Sequence, residues 1–245
     1  MTDKCLASLQ AIQGVLLTGS VARGDARKGP YGLYVDITIV ANNRKDIALA
    51  EIFGPSIEPY IPKHCVVIEK VGFAFETVTM NELNSIRSCY ESVIFAKQES
   101  MVLFDPHGLL AKWKQDTFAL SEDDIKNRAL QQYFRFDYLT NEYRTEKWKH
   151  REAWAQMIQN GNEAIECYCN FLYCINGWFI PRKDWLVYLT YDLMVKIDRH
   201  FELMNDLYSV TANEAAIAHR INRFCEIQKW MYDYCIEKHW LSSSG

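Results

Sequence analysis

Two short stretches in the first forty residues carry side chains that could handle phosphate. Gly19-Ser20-Val21-Ala22-Arg23-Gly24-Asp25 follows an apolar run, and Asp36 stands within Val35-Asp36-Ile37-Thr38-Ile39. A strand that ends in Gly-Ser and leads into a helix start makes a phosphate-binding device. Glycine lets the backbone approach the anion, and the serine hydroxyl and exposed N–H groups donate to it. A carboxylate on the neighbouring strand can then hold a divalent ion against the same phosphates. A metal charge and in-line geometry are most of what phosphoryl or nucleotidyl transfer needs. A further carboxylate, Glu76, lies among apolar residues in Gly72-Phe73-Ala74-Phe75-Glu76-Thr77-Val78, where an unpartnered charge is costly.

The elements that must position these groups can be read from periodicity. A short helix is expected over Asp3 to Gln13, broken by Gly14, then a buried strand over Val15-Leu16-Leu17 and a turn through Thr18-Gly19-Ser20. Leu33 to Val40 alternates as a strand does, with Val35, Ile37 and Ile39 on one face and Tyr34, Asp36 and Thr38 on the outward one. Lys28 to Gly32 reads as a loop. Ile47 to Phe53 is expected to be a helix stopped by Gly54-Pro55. Cys65 to Ile68 and Phe73 to Met80 read as strands joined near Val71-Gly72, and Asn81 to Ser88 as a helix. Ser92 to Ala96 and Met101 to Phe104 are short apolar runs, the second ending at Asp105-Pro106-His107-Gly108.

Near Ser121 the pattern changes. Ser121-Glu122-Asp123-Asp124 has the cap and acidic first turn of a helix start. Long amphipathic stretches follow over Asp123 to Lys147 and Trp148 to Ile175. Pro181 is placed to begin a helix over Arg182 to Lys196, and Thr211 with Glu214 to cap a last helix running to about Trp240. Strands mixed with helices, then helices alone, give an α+β fold: a mixed sheet with flanking helices over residues 1–118, followed by an all-α bundle over 119–245. The Ser242 to Gly245 tail is low in complexity.

The Gly-Ser turn, its Ala22-Arg23-Gly24 extension and the Asp-bearing strand resemble the DNA polymerase β-like nucleotidyltransferase superfamily, in its small bacterial branch of antibiotic and minimal nucleotidyltransferases. Val102 to Gly108 is similar to that branch's late strand and turn. Asn176-Gly177 and Pro181-Arg182-Lys183-Asp184-Trp185 are similar to its helical C-terminal domains, so the likeness covers most of the chain. The resemblance implies a nucleotidyltransferase that moves AMP from ATP to an acceptor hydroxyl, with Mg²⁺ as cofactor. Gly19, Ser20 and Arg23 would meet the triphosphate. Asp36 and Glu76 would bind the metal and serve catalysis, and Lys183 would reach the phosphates.

The family places two carboxylates one residue apart on the first motif strand. Here either Thr38 replaces the second or Tyr34 the first. A threonine hydroxyl is a weak Mg²⁺ ligand without charge, so a two-metal site with a substitute ligand such as Asp25, a single-metal enzyme, and a binding-only relic all stay open. Two readings also stand for Glu76: metal or base, or a structural ion pair with Lys70 or Arg23. Arg23 is equally suited to holding the turn through its guanidinium fork, and Asp105 to a turn with Pro106 and Gly108.

In the helical half, Arg144, Lys147 and Arg151 fall on one helix face, either solvated or turned to phosphate. Glu163 is either a general base on the acceptor or part of a solvent-facing stripe.

The eight cysteines include Cys167, Cys169 and Cys174 without metal-ligand spacing, which suits small buried hydrophobes. A net charge of −4 argues against a general nucleic-acid binder. It slightly disfavours an RNA acceptor and suits a cationic aminoglycoside-like compound; a protein acceptor stays open, as does a homodimer. No leader opens the chain and no segment reaches membrane-spanning length, which gives the expectation of a cytoplasmic protein with no membrane partner. The contrasting reading is a catalytically degenerate nucleotide-binding or antitoxin-like interaction protein.

Overall fold

A computed structural model describes residues 3–28, 32–54, 58–60 and 63–242. Parts of two expected segments, residues 29–31 of the first loop and 243–245 of the tail, lie outside the described residues, as does Pro55. The chain divides into two compact units, Met1–Ala119 and Leu120–Gly245.

The first unit is a six-stranded mixed sheet with helices. Its elements run α1 (Asp3–Ala11), β1 (Ile12–Thr18), α2 (Gly19–Arg23), β2 (Leu33–Ala41), α3 (Leu49–Phe53), β3 (Glu58–Tyr60), β4 (Lys63–Ile68), β5 (Val71–Thr79), α4 (Met80–Asn84), α5 (Glu91–Gln98), β6 (Met101–Phe104) and α6 (Leu109–Phe118). Spatial order is β3-β4-β5-β2-β1-β6. Among the described residues only β2 and β5 pair in parallel; the other neighbours are antiparallel.

Gly14 does not stop a helix. It lies within β1, and α1 ends at Ala11. Its missing side chain has a packing reason, since a Cβ there would fall 2.4 Å from Leu110 Cδ1. The β4–β5 joint is not at Val71-Gly72 but at Glu69-Lys70, both left-handed (φ 49° and 69°), as a two-residue hairpin turn requires. Gly72 is inside β5, where the Tyr34 ring of the paired strand lies over it: a Cβ would come 2.6 Å from Tyr34 Cε1.

Register fixes what each face carries. Ile37, Ile39 and Ala41 of β2 pack with Phe75 and Val66, and Ile47, Leu49, Ile52 and Phe53 complete that cluster. The opposite face of β2 carries Asp36, Thr38 and Val40, beside Ala74, Glu76 and Val78 of β5 and Thr18, Leu16 and Gly14 of β1. This face is not outward at Thr38, which is only 1% exposed; Lys97 of α5 reaches it. The apolar run over Ser92 to Ala96 is thus the middle of a helix. Its buried side continues into Lys97 through Ile94, three residues earlier.

The second unit is all-helical: α7 (Glu122–Thr140), α8 (Glu142–Lys149), α9 (Trp154–Ile175), α10 (His200–Tyr208) and α11 (Glu214–Glu237). Ser121 and Asp124 form a reciprocal capping box at the start of α7. Phe136 of α7 meets Phe224 of α11 edge-on at 5.9 Å. Trp230 of α11 stands edge-on to Tyr168 and Phe171 of α9. Cys167, Cys169 and Cys174 are buried in α9, and burial raises the Cys167 thiol to about 11.

Several helix boundaries differ from those read by periodicity. The stretch over Asp123 to Lys147 breaks at Asn141, whose side chain accepts from the Arg144 N–H and starts α8. The next helix begins at Trp154, after Glu152 turns left-handed (φ 50°), and not at Trp148. Arg182 to Lys196 is not an α-helix. Thr190 Oγ1 bonds the Val187 carbonyl, Asn176 holds the Val195 backbone through both its amide atoms, and only Tyr188–Asp192 coils, as 3₁₀. The last helix is capped by Asn213, which accepts from Ala216 N–H, in place of Thr211.

Candidate functional site

The Gly-Ser turn is built as its composition implies. β1 ends at Thr18, and Gly19 takes φ +71°, a left-handed conformation that glycine adopts without strain. The short helix ends at Gly24, also left-handed (φ +83°), with Gly24 N–H donating to Val21 O and Asp25 N–H to Ser20 O. Thr18 and Asp36 are register partners across β1 and β2. The Asp36 carboxylate consequently lies against the turn: a Cβ on Gly19 would stand 2.8 Å from Asp36 Oδ2. Gly19, Ser20 and Asp36 are therefore brought together.

Arg23 serves the turn from inside. Nη1 donates to both carboxylate oxygens of Glu99 at 2.8 Å, and Nε donates to Asp25 Oδ1 at 3.2 Å. Glu99 also accepts from the Gly19 backbone N–H. Burial opposes the charged form of both partners, and pairing opposes burial. At Glu99 burial prevails and the carboxyl titrates above its ordinary range, while at Arg23 pairing prevails. The clasp ties the turn to the end of α5. Asp25 Oδ2 is buried without a hydrogen-bond partner.

Two residues along from Asp36, Thr38 stands opposite Glu76 in the parallel pair. Asp36 and Glu76 are thus diagonal neighbours on one face, roughly 8 Å apart between Cα positions given ordinary strand spacing and rise. Lys97 Nζ donates to Thr38 Oγ1 at 2.7 Å and to Glu76 Oε2 at 2.6 Å, and Thr38 Oγ1 donates to Glu76 Oε2 at 3.2 Å. The triad is close-knit: Lys97 is 8% exposed, and every member bonds the other two. Glu76 pairs with Lys97, not with Lys70 or Arg23.

This arrangement bears on Mg²⁺. The set Asp36, Thr38 and Glu76 does not fit a divalent ion as the resemblance implies. The Thr38 hydroxyl and Glu76 Oε2 are directed at an ammonium, and a second cation beside them would meet its charge at contact distance. Among the described residues, no group of three or more His, Cys, Asp or Glu side chains gathers as metal ligands.

The remaining candidates belong to the second unit. Glu163 of α9 pairs with Arg135 of α7. Lys183 pairs with Glu166. Arg144, Lys147 and Arg151 do not share one helix face, because α8 ends at Lys149. Arg144 stacks 3.7 Å over the Tyr138 ring, and Lys147 and Arg151 lie over Trp148. Asp105 Oδ2 accepts from the Ala111 N–H, near the start of α6.

Lys97 and Glu99 were not among the residues singled out by motif. The available signal was a lysine on the apolar side of a run that otherwise buries Ile94 and Phe95.

No protein-family model matches the chain, and no curated protein matches it. Among solved structures it is similar to a nucleotidyltransferase-like protein from Exiguobacterium sibiricum 255-15, at 10% identity and a TM-score of 0.43, over 94% of this chain and 72% of that one. A likeness of that degree bears on neither activity nor substrate. Among the described residues, no helix is long and apolar enough to cross a membrane.

Proposed function

We propose that the chain is a nucleotidyltransferase whose first unit takes the triphosphate of ATP on the Gly19-Ser20 turn and passes AMP to an acceptor hydroxyl, with release of pyrophosphate. The observation that carries this reading is the Asp36 carboxylate seated against Gly19, at the mouth of a turn held open by two left-handed glycines. Gly19 admits the phosphate backbone, Ser20 donates to it, and the Arg23–Glu99 clasp keeps the turn rigid. The acceptor, an aminoglycoside-like small molecule or a protein or RNA end, belongs to the helical unit, with Glu163 as base and Lys183 toward phosphate. In that role both leave their present ion pairs with Arg135 and Glu166.

The Lys97 triad favours a second reading, in which the same turn binds nucleotide without transfer. Its ammonium supplies fixed positive charge beside the turn's strand, yet Glu76 already balances that charge. One experiment separates the two. The full chain is incubated with ATP labelled at the α-phosphate and a panel of hydroxyl acceptors, and ATP binding is titrated calorimetrically in Mg²⁺ and in EDTA. Labelled acceptor, lost in Asp36→Asn, supports transfer. Binding without label in any acceptor supports the second reading. Absence of binding in both media overturns both.

A further inference from the structure

The segment leading into α10 presents apolar side chains to solvent. Met194 is 94% exposed, and Phe201, Tyr188 and Val195 are 57%, 45% and 38% exposed. Single exposed apolar side chains are ordinary, and a contiguous set is not. Here they are contiguous. The Tyr191 ring meets Phe201 edge-on at 5.1 Å and Tyr188 at 6.5 Å, and Met194, Tyr191 and Phe201 line one open recess of about 400 Å³.

The exposure of Met194 is built into its surroundings. On one side Leu193 is buried, and its carbonyl accepts from Lys196 Nζ. On the other, Asn176 accepts from the Val195 N–H at 2.9 Å and donates to the Val195 carbonyl at 2.8 Å. A large apolar side chain is thus held over water by a tethered backbone, which lowers the ordering cost of docking. Methionine and aromatic rings are also the residue types that interface cores enrich.

The charges around the recess select the partner. Its wall carries two cations, Lys196 and Arg199, and two anions, Asp198 and Glu202. Arg199 and Glu202 approach only to 3.9 Å, and Asp198 has no ion-pair partner among the described residues. A nucleic-acid strand or an anionic lipid surface calls for net positive charge, which the two carboxylates cancel. A second copy of the same surface makes no such demand. With both signs present, a two-fold axis can set each cation against an anion, so the surface complements itself. We propose that this face is an isologous homodimer interface, with Met194 of each copy seated in the recess of the other and Arg199 opposite the partner's Asp198.

The test is sedimentation velocity of the full chain over a dilution series. The parent is expected to dimerise with a dissociation constant of roughly micromolar order. Met194→Asp and Phe201→Asp, with folding checked by circular dichroism, are expected to weaken association at least about thirtyfold. Arg199→Asp and Asp198→Arg each set like charges face to face and are expected to be monomeric. Their equimolar mixture is expected to form a heterodimer, because every repulsive pair is then matched. A parent that stays monomeric at about 100 μM overturns the proposal. So does a dimer that survives Met194→Asp, which places the interface elsewhere, or a mixture of the two charge variants that stays monomeric. Co-sedimentation of a monomeric parent with phosphatidylglycerol vesicles, lost in Met194→Asp, assigns the face to a membrane and equally overturns it.

Discussion

Replacing Lys97 by methionine tests the triad at the centre of the sheet without any assumption about activity. The substitution keeps the length of the side chain and removes the ammonium, so Glu76 loses an ion pair at 2.6 Å and Thr38 a donor at 2.7 Å. Removing one partner of a fully buried pair costs about 3–5 kcal/mol. Here the Lys97 side chain is 10% exposed and that of Glu76 29%, so water partly compensates the stranded carboxylate and the expected cost is about 2 kcal/mol. Glu76→Gln alone leaves the ammonium stranded and costs a comparable amount. The double variant, with no charge left to bury, recovers to within about 1 kcal/mol of the parent, giving a coupling of about 3 kcal/mol. The measurement is hydrogen exchange of β2 and β5 amides in the full chain, resolved by mass spectrometry, with denaturant unfolding as a check that the m-value is unchanged. If Lys97→Met leaves the opening of these strands unchanged, or if Glu76→Gln adds to its cost instead of cancelling it, the triad is not an interacting unit and the case against a divalent ion there falls.

Gly19→Ala should cost about 1 kcal/mol for its left-handed backbone. Its Cβ would also displace Asp36, so calorimetry should find ATP affinity reduced at least tenfold with unchanged circular dichroism. His200 is buried with Tyr168 Oη on Nδ1 and Thr190 Oγ1 on Nε2, and burial, helped by Lys196, lowers its pKa to about 4. The unfolded chain therefore binds a proton that the fold rejects between about pH 6.5 and 4, and stability is lost as pH falls through that window, by on the order of 3 kcal/mol. Denaturant midpoints across pH 4–7 should show this slope in the parent and a flatter one in His200→Gln. Ser121→Ala removes the α7 capping box and should cost about 1 kcal/mol by the same assay.

The parts legible in the sequence are those written in local pattern. The residue types of the strand carrying Asp36 alternate over Val35 to Ile39, which placed the strand although both of its faces are covered from Thr38 onward, and Ser121-Glu122-Asp123-Asp124 states a helix start in four residues. The parts that escaped depend on partners far along the chain. Lys97 meets Thr38 across 59 residues and Glu76 across 21, so its place beside Ile94 and Phe95 marks it as buried but does not name its partners. The segment after Pro181 has helical spacing, but bonds from Asn176 to Val195 and from Thr190 to His200 outweigh it. Asn141 could be read as either interior or cap, and only its bond to the Arg144 N–H decides.

The clasp between Arg23 and Glu99 spans 76 positions of chain. During synthesis, at roughly 5–20 residues per second, the turn leaves the ribosome several seconds before its anchor exists. Strand β6, which pairs with β1 at the sheet edge, comes later still. The nascent first half must therefore wait with its loop untethered and the flank of β1 open. The interval ends only when the segment from Glu91 to Phe104 arrives to lock both.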